Sequence, residues 1–274
     1  MGFHRRNQPE GCGTVNTLTK KQGLGIATII IVVTVMLASP FLLVPNPTGM
    51  EGVQVALYFD RGCDATCRDA LENMFRWMGT EVTIVGGSEI GEGVLTDYDI
   101  LALPSGCWCT ERCEILGEEM DYIRHFVEDG GSYFGIDRGA SYATNFRLGI
   151  FNGTYIPDLH GADSFLMEMN VNRSSTGPDL SEEPDSYTIL YDASGYFVAD
   201  DMSEMIPLVT FPESGLPCML AYKYGTGNVF LCSVHPEYEE GDGRDGTDIY
   251  DLLDDPDSEW TLMLKICKWL VEDS

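Results

Sequence analysis

The sequence predicts a three-layer α/β domain with a mainly parallel sheet, preceded by one transmembrane helix. In residues 53–136, apolar strand-like segments alternate with segments of helical spacing, which is typical of a parallel sheet covered on both faces. An uncharged apolar run occupies residues 23–44. The stretch "GGSYFGIDRGASYA" reads as a buried strand, a sharp Gly-x-Asp-x-Gly turn and the start of a helix. That arrangement usually holds a catalytic nucleophile above a sheet.

The charge of the chain excludes one large class of partners. Its 274 residues include 44 acidic and 16 basic side chains, which gives a net charge of -28. Such a chain repels the phosphate backbone, so the sequence predicts no nucleic-acid partner. An apolar content of 44% is that of a folded domain and not of an acidic disordered chain.

The apolar run at residues 23–44 is long enough to cross a bilayer. Basic residues precede it and the chain turns acidic after it, so the positive-inside bias places residues 1–22 in the cytoplasm. The sequence therefore predicts a single-pass protein of the cell membrane, with a linker at 45–52 and an extracytoplasmic domain at 53–274. A cleaved signal peptide is the rival interpretation, although Pro40 directly after Ala38 and Ser39 disfavours cleavage there.

The elements of the domain follow from hydrophobic periodicity. Strands are predicted at residues 53–59, 81–85, 98–104 and 132–136, with helices at 65–78 and 111–128 between them. After residue 151 the pattern changes to short strands and turns, with strands predicted at 164–171, 187–192, 195–199, 206–211, 218–224 and 227–234. A last amphipathic helix is predicted at 258–271.

Several segments carry a resemblance to a known family. They are the "LPSG" loop, "FVEDGGSYFGIDRGA", "LGIFNGTYIPDL" and "YGTGNVFLCSVHPEY", in that order within residues 53–238. The set resembles the N-terminal domain of biotin-protein ligases, a branch of the class I glutamine amidotransferase-like superfamily, and this implies a flavodoxin-like fold. The resemblance also implies that Asp137, His235 and Glu237 occupy the positions of the catalytic triad, with Asp137 in place of the cysteine nucleophile. It places Ser105 and Gly106 in the oxyanion loop.

The replaced nucleophile predicts a pseudoenzyme. A carboxylate attacks an amide poorly, whereas glutamine hydrolysis needs a thiolate beside a histidine. We therefore expect a pocket that binds a small molecule or a membrane or extracellular protein, with Arg138 either solvated or pairing a ligand carboxylate. The alternative is a hydrolase that uses Asp137 or Cys107 with His235. In simpler structural interpretations, Asp137 caps the following helix and His235 is a core histidine.

Five cysteines are predicted to gather near this pocket. In a sheet of order 2-1-3-4 the loops after strands one and three are neighbours, and disulfides are the default outside the cell. We expect at least one disulfide between these loops, which peptide mapping without reduction would test; a bound metal and free thiols are the alternatives. The spacings are not those of usual zinc sites, so no metal and no cofactor are predicted. The candidates are Cys63 and Cys67 in the first loop and Cys107, Cys109 and Cys113 in the second.

Overall fold

The computed structural model describes residues 49–106, 117, 119–239 and 243–272. All of them belong to one unit of the chain, Pro45–Ser274. The predicted transmembrane segment and its orientation fall outside the described residues and stay predictions. Within the described part, no helix is both long and apolar enough to cross a membrane.

The described residues form five α-helices, two short 3₁₀ turns and eleven strands. The helices are α1 (Ala65–Trp77), α2 (Gly87–Gly91), α3 (Met120–Glu128), α4 (Arg138–Tyr142) and α5 (Trp260–Glu272), and the 3₁₀ turns are Val94–Asp97 and Met202–Glu204. The strands are β1 (Gln54–Tyr58), β2 (Glu81–Val85), β3 (Ile100–Leu103), β4 (Ser132–Ile136), β5 (Gly153–Ile156), β6 (Ser164–Val171), β7 (Ser186–Asp192), β8 (Tyr196–Ala199), β9 (Ile206–Thr210), β10 (Pro217–Tyr224) and β11 (Gly227–Cys232).

Nine of these strands make one sheet of order β2-β1-β3-β4-β11-β10-β9-β6-β7. The predicted order 2-1-3-4 is confirmed, and β11 continues it in parallel beside β4. The sheet is mixed and not mainly parallel, because the pairs from β11 to β7 are all antiparallel. The reversal begins at a tight turn between β10 and β11, where Gly225 has a φ of 63°. A turn this short can join only antiparallel strands.

Helices cover both faces of the parallel half, which confirms the three layers for the described residues. Along β1, Val55 and Leu57 face one hydrophobic cluster while Ala56 and Tyr58 face the other. Residues of α1 and α5 pack in the first cluster and residues of α3 and α4 in the second. Burial on both faces explains why these strands read as unbroken apolar runs.

A second sheet of two antiparallel strands, β5 and β8, packs against the second cluster. Phe151 contacts Phe197 edge to face, with ring centroids 5.9 Å apart. Tyr155 packs on the same Phe197 ring at 5.5 Å. The sequence pattern predicted β8 but not β5, which has four residues and is ordered by this pairing. This small sheet brings Tyr155 to the carboxyl end of β4.

Candidate functional site

The chain makes a sharp, strained turn between β4 and α4, with Asp137 at its tip. Asp137 has φ 44° and ψ −103°, a region that residues with a side chain rarely adopt. Its N–H donates to the carbonyl of Cys232 at 2.7 Å. Glycine is required on both sides of the tip, since a Cβ on Gly135 would lie 2.8 Å from the backbone of Ala140 and one on Gly139 2.0 Å from the carbonyl oxygen of Leu103. The two glycines of the Gly-x-Asp-x-Gly pattern are therefore a steric requirement of the turn.

The carboxylate of Asp137 is buried and held by three neighbours. Ser105 Oγ donates to Oδ2 at 2.5 Å, the hydroxyl of Tyr155 donates to Oδ1 at 3.4 Å, and a guanidinium nitrogen of Arg138 lies 3.7 Å from Oδ1. Burial, and then the negative charge of Asp137, raise the pKa of Tyr155 well above its ordinary value, so the phenol stays a donor. The carboxylate makes no capping hydrogen bond to α4, so the simple capping interpretation is wrong.

The loops after β1 and β3 meet beside this turn, as the strand order predicted. The N–H of Asp64 donates to the carbonyl of Ser105 at 2.9 Å, and Cys63 and Gly106 form an isolated antiparallel bridge. Ser105 is thereby fixed above the end of β4, where its hydroxyl reaches Asp137. Gly106 lies in the same loop, and the part in binding that the resemblance to an oxyanion loop implies for it stays a prediction.

His235 and Glu237 form a buried pair in the segment after β11. The ring Nδ1 of His235 lies 2.9 Å from Oε1 of Glu237, and the two side chains are 4% and 0% exposed. The backbone N–H of His235 donates to Leu190, and the indole N–H of Trp260 donates to the carbonyl of Glu237 at 3.2 Å. Burial disfavours the charged imidazole, but the carboxylates of Glu237 and Asp137 outweigh it and raise the pKa of His235 to about 9. His235 is thus a member of the site and not an isolated core histidine.

Cys67 joins the site from the first turn of α1. Asp64 caps this helix by accepting the N–H groups of Thr66 and Cys67 at 2.7 and 3.0 Å. The thiol of Cys67 donates to Oε1 of Glu237 at 3.1 Å and accepts the N–H of Ser105 at 3.2 Å. Burial, followed by the charge of Glu237, raises the pKa of Cys67 well above its ordinary value. The site therefore holds this sulfur as a thiol.

The disulfide prediction is corrected for Cys67, which is a free thiol in the structure. Its sulfur is hydrogen-bonded to Glu237 and Ser105. The predicted disulfide between the two loops would therefore have to be formed by Cys63. Cys107, Cys109 and Cys113 lie outside the described residues. A bridge from Cys63 to one of them stays a prediction.

These contacts link five residues in one continuous chain, which we call the elbow cluster. It runs from His235 to Glu237, Cys67, Ser105 and Asp137, through the four contacts described above. The cluster places both predicted triad partners and the oxyanion loop at the same edge of the sheet as the elbow. The carboxylate of Asp137 thus lies at one end of the cluster and the buried His235–Glu237 pair at the other.

Comparison with solved structures bears on the fold that carries this cluster. A glutamine amidotransferase from Thermotoga maritima matches with a TM-score of 0.57 at 15% identity, covering 80% of this chain and 98% of that one. A cytoplasmic protein from Salmonella typhimurium LT2 matches with a TM-score of 0.50 at 10% identity, covering 80% of this chain and 100% of that one. The chain has a glutamine amidotransferase-like fold. No protein-family model matches the sequence and no curated protein matches it, so the narrower resemblance to biotin-protein ligases is not confirmed.

Sequence reasoning missed Tyr155 and assigned Cys67 a different role from the one that its contacts show. Tyr155 is delivered by β5, a strand too short to show periodicity. Cys67 was predicted as a disulfide candidate and lies instead against Glu237, 170 positions away in the chain. The only available signal for Cys67 was its position directly after strand one, which placed it at the correct edge of the sheet.

A separate cleft lies at the opposite edge of the amidotransferase-like domain. It has a volume of about 460 Å³ and is lined by residues that precede β3 and β4 and by one side of α3. None of the residues that line it belongs to the elbow cluster. Its walls include Tyr98, Asp99, Tyr122, Phe126 and Asp129.

Proposed function

We propose that the domain is an amidotransferase-like pseudoenzyme that binds a small molecule or a partner protein in the former catalytic pocket. The observation that carries the proposal is the carboxylate of Asp137 at the tip of the elbow, held by Ser105 and Tyr155. Because these contacts fix the carboxylate of Asp137 in one orientation, it is suited to bind a ligand of matching shape and charge. As part of the same proposal, we place the domain next to the N-terminal domains of biotin-protein ligases within the superfamily.

Glutamine hydrolysis requires a nucleophile at the tip and donors for the developing oxyanion. Attack by the carboxylate of Asp137 on an amide would form a high-energy anhydride. The thiol of Cys67 lies beside Glu237 and not at the tip, and it is 0% exposed. The backbone N–H of Ser105, in the loop that would serve the oxyanion, donates to the sulfur of Cys67. These contacts support the loss of glutaminase activity.

A binding role is supported by polar groups that converge at one edge of the sheet. Arg138 and His235 supply positive charge beside the carboxylates of Asp137 and Glu237. Convergent polar groups in a largely apolar surround are typical of ligand pockets. The strained backbone of Asp137 also favours function, because strain of this kind is kept mainly where a site requires it.

The full-length chain is expected to release no measurable ammonia from glutamine. The assay compares the unmodified protein with Asp137→Cys and His235→Ala, each offered glutamine and a panel of esters, amides and thioesters. Activity that appears only in Asp137→Cys would show that the elbow and base persist and that only the nucleophile was lost, which supports the proposal.

Turnover by the unmodified protein that His235→Ala abolishes would overturn the pseudoenzyme proposal. It would support the alternative, a hydrolase that uses Asp137 or Cys107 with His235. A Cys107→Ala variant then separates the two nucleophiles, since only a Cys107 enzyme would lose activity.

We also propose that residues 23–44 anchor the domain outside the cytoplasm, on the basis of the charge asymmetry around this apolar run. Protease added to intact cells is expected to remove the domain. Protection of the domain until the membrane is permeabilised would contradict the orientation. Release of the domain into the medium without protease would favour a cleaved signal peptide.

A further inference from the structure

We propose that Cys67, His235 and Glu237 bind a divalent metal ion of the zinc type. This inference rests on the proposed function in one respect: it places the metal in the same pocket. It does not depend on the loss of glutaminase activity. The sequence analysis predicted no metal, because the cysteine spacings near the pocket are not those of usual zinc sites. Folding brings them together from the first turn of α1 and from the segment after β11.

The ligand atoms of the three side chains are already close enough to share one ion. A nitrogen of His235, the sulfur of Cys67 and a carboxylate oxygen of Glu237 all lie within 4.8 Å of one another. Sγ of Cys67 is 3.1 Å and Nδ1 of His235 is 2.9 Å from the same oxygen of Glu237. Ligand atoms around a tetrahedral zinc ion, bound at roughly 2.0–2.3 Å, are separated by similar distances.

Glu237 supplies a second, independent observation. Its side chain is 0% exposed, yet its Oε2 has no hydrogen-bond partner among the described residues. A buried carboxylate oxygen without a partner is costly, and buried charges are usually paired or bound to metals. A cation bound by this carboxylate would compensate for the missing hydrogen bond.

The surroundings of Cys67 also fit a metal thiolate. The backbone N–H of Ser105 points at the sulfur from 3.2 Å, which is the kind of outer contact that orients and stabilises a coordinating thiolate. Asp64 fixes the first turn of α1 and therefore the position of the sulfur.

The donor set selects the class of ion. One sulfur, one imidazole nitrogen and one carboxylate oxygen suit zinc and its analogue cobalt, whereas calcium and magnesium prefer oxygen ligands alone. The ion replaces the thiol proton of Cys67 and any second proton on the imidazole, which pass to solvent. Two anionic ligands then balance its double charge. Three protein ligands leave a fourth tetrahedral position for water or a pocket ligand.

Cobalt(II) titration of the full-length chain under a non-chelating reductant tests the proposal. The expected result is one equivalent bound per chain, with the near-ultraviolet absorption of a sulfur-to-cobalt bond. Cys67→Ser should lose this absorption and bind cobalt about tenfold more weakly or worse, because even outer-shell partners contribute 10–100-fold to metal affinity. Cys218→Ala is the matched control, since it removes a buried free thiol outside the elbow cluster and should leave the absorption unchanged.

The proposal is overturned if the unmodified chain shows no sulfur-to-cobalt absorption, or if Cys67→Ser retains it. Should Cys67→Ser fail to fold by circular dichroism, Glu237→Gln provides the test and should weaken cobalt binding by about tenfold. Unchanged affinity in Glu237→Gln would contradict the site. Because cobalt absorption and ammonia release are separate measurements, this proposal and the proposed function can fail independently.

Discussion

Replacing Trp260 by alanine is expected to lower the free energy of unfolding by about 3–5 kcal/mol, the cost typical of a large buried side chain. Trp260 is 0% exposed, and its ring meets that of Trp77 edge to face at 5.4 Å. The guanidinium of Arg244 lies over the ring at 4.4 Å. The indole N–H also holds the carbonyl of Glu237, so the variant loosens the segment that carries the elbow cluster.

Urea denaturation followed by circular dichroism measures this loss. Leu252→Ala is the control, because the side chain of Leu252 is 100% exposed and its removal should change the free energy by less than about 0.5 kcal/mol. Trp260→Phe keeps most of the ring and loses the hydrogen bond, so it should fall between the two. A loss below about 1 kcal/mol for Trp260→Ala would contradict the packing described for α5.

Gly139→Ala is expected to destabilise the domain by about 3 kcal/mol or more, at or above the upper end for an overpacked core. The added Cβ would lie 2.0 Å from the carbonyl oxygen and 2.7 Å from the carbonyl carbon of Leu103. Leu103 belongs to β3, which pairs with both β1 and β4, so its backbone cannot move without disturbing two ladders. The elbow must therefore open or the sheet must bend.

Gly149→Ala serves as the matched control for this variant. Gly149 has a φ of 73°, but no heavy atom lies within 4 Å of the Cβ it would gain. The free energy of unfolding of Gly149→Ala should therefore fall by only about 1–2 kcal/mol, which is the cost of a side chain in left-handed backbone. The same denaturation experiment compares the two, and a Gly139 variant as stable as the Gly149 variant would refute the close approach of α4 to β3.

The parallel half of the fold was predictable because its signals are local. Strands β2 and β4 lie at the predicted residues, β1 is shorter than predicted by one residue at each end, and α1 ends one residue early. A strand that is buried on both faces has an unbroken apolar run in its sequence. The tight turn at the elbow requires glycines, which are also visible in the sequence. The "HPEY" segment is also a local signal: it singled out His235 and Glu237, which form a buried pair, and their triad roles stay predictions.

The antiparallel half was only partly predictable. Its strands were recognised, but not their place as a continuation of the same sheet, because a short strand carries no signal for its distant partner. The sequence by itself determined the alternation of strands and helices, the glycines that shape the elbow, and the carboxylate at its tip. Only the tertiary structure decided that Asp137 turns away from α4 towards Ser105 and Tyr155, and that Cys67 lies against Glu237. Those contacts join residues far apart in the chain, and their geometry is set by packing between layers, which periodicity within one segment does not encode.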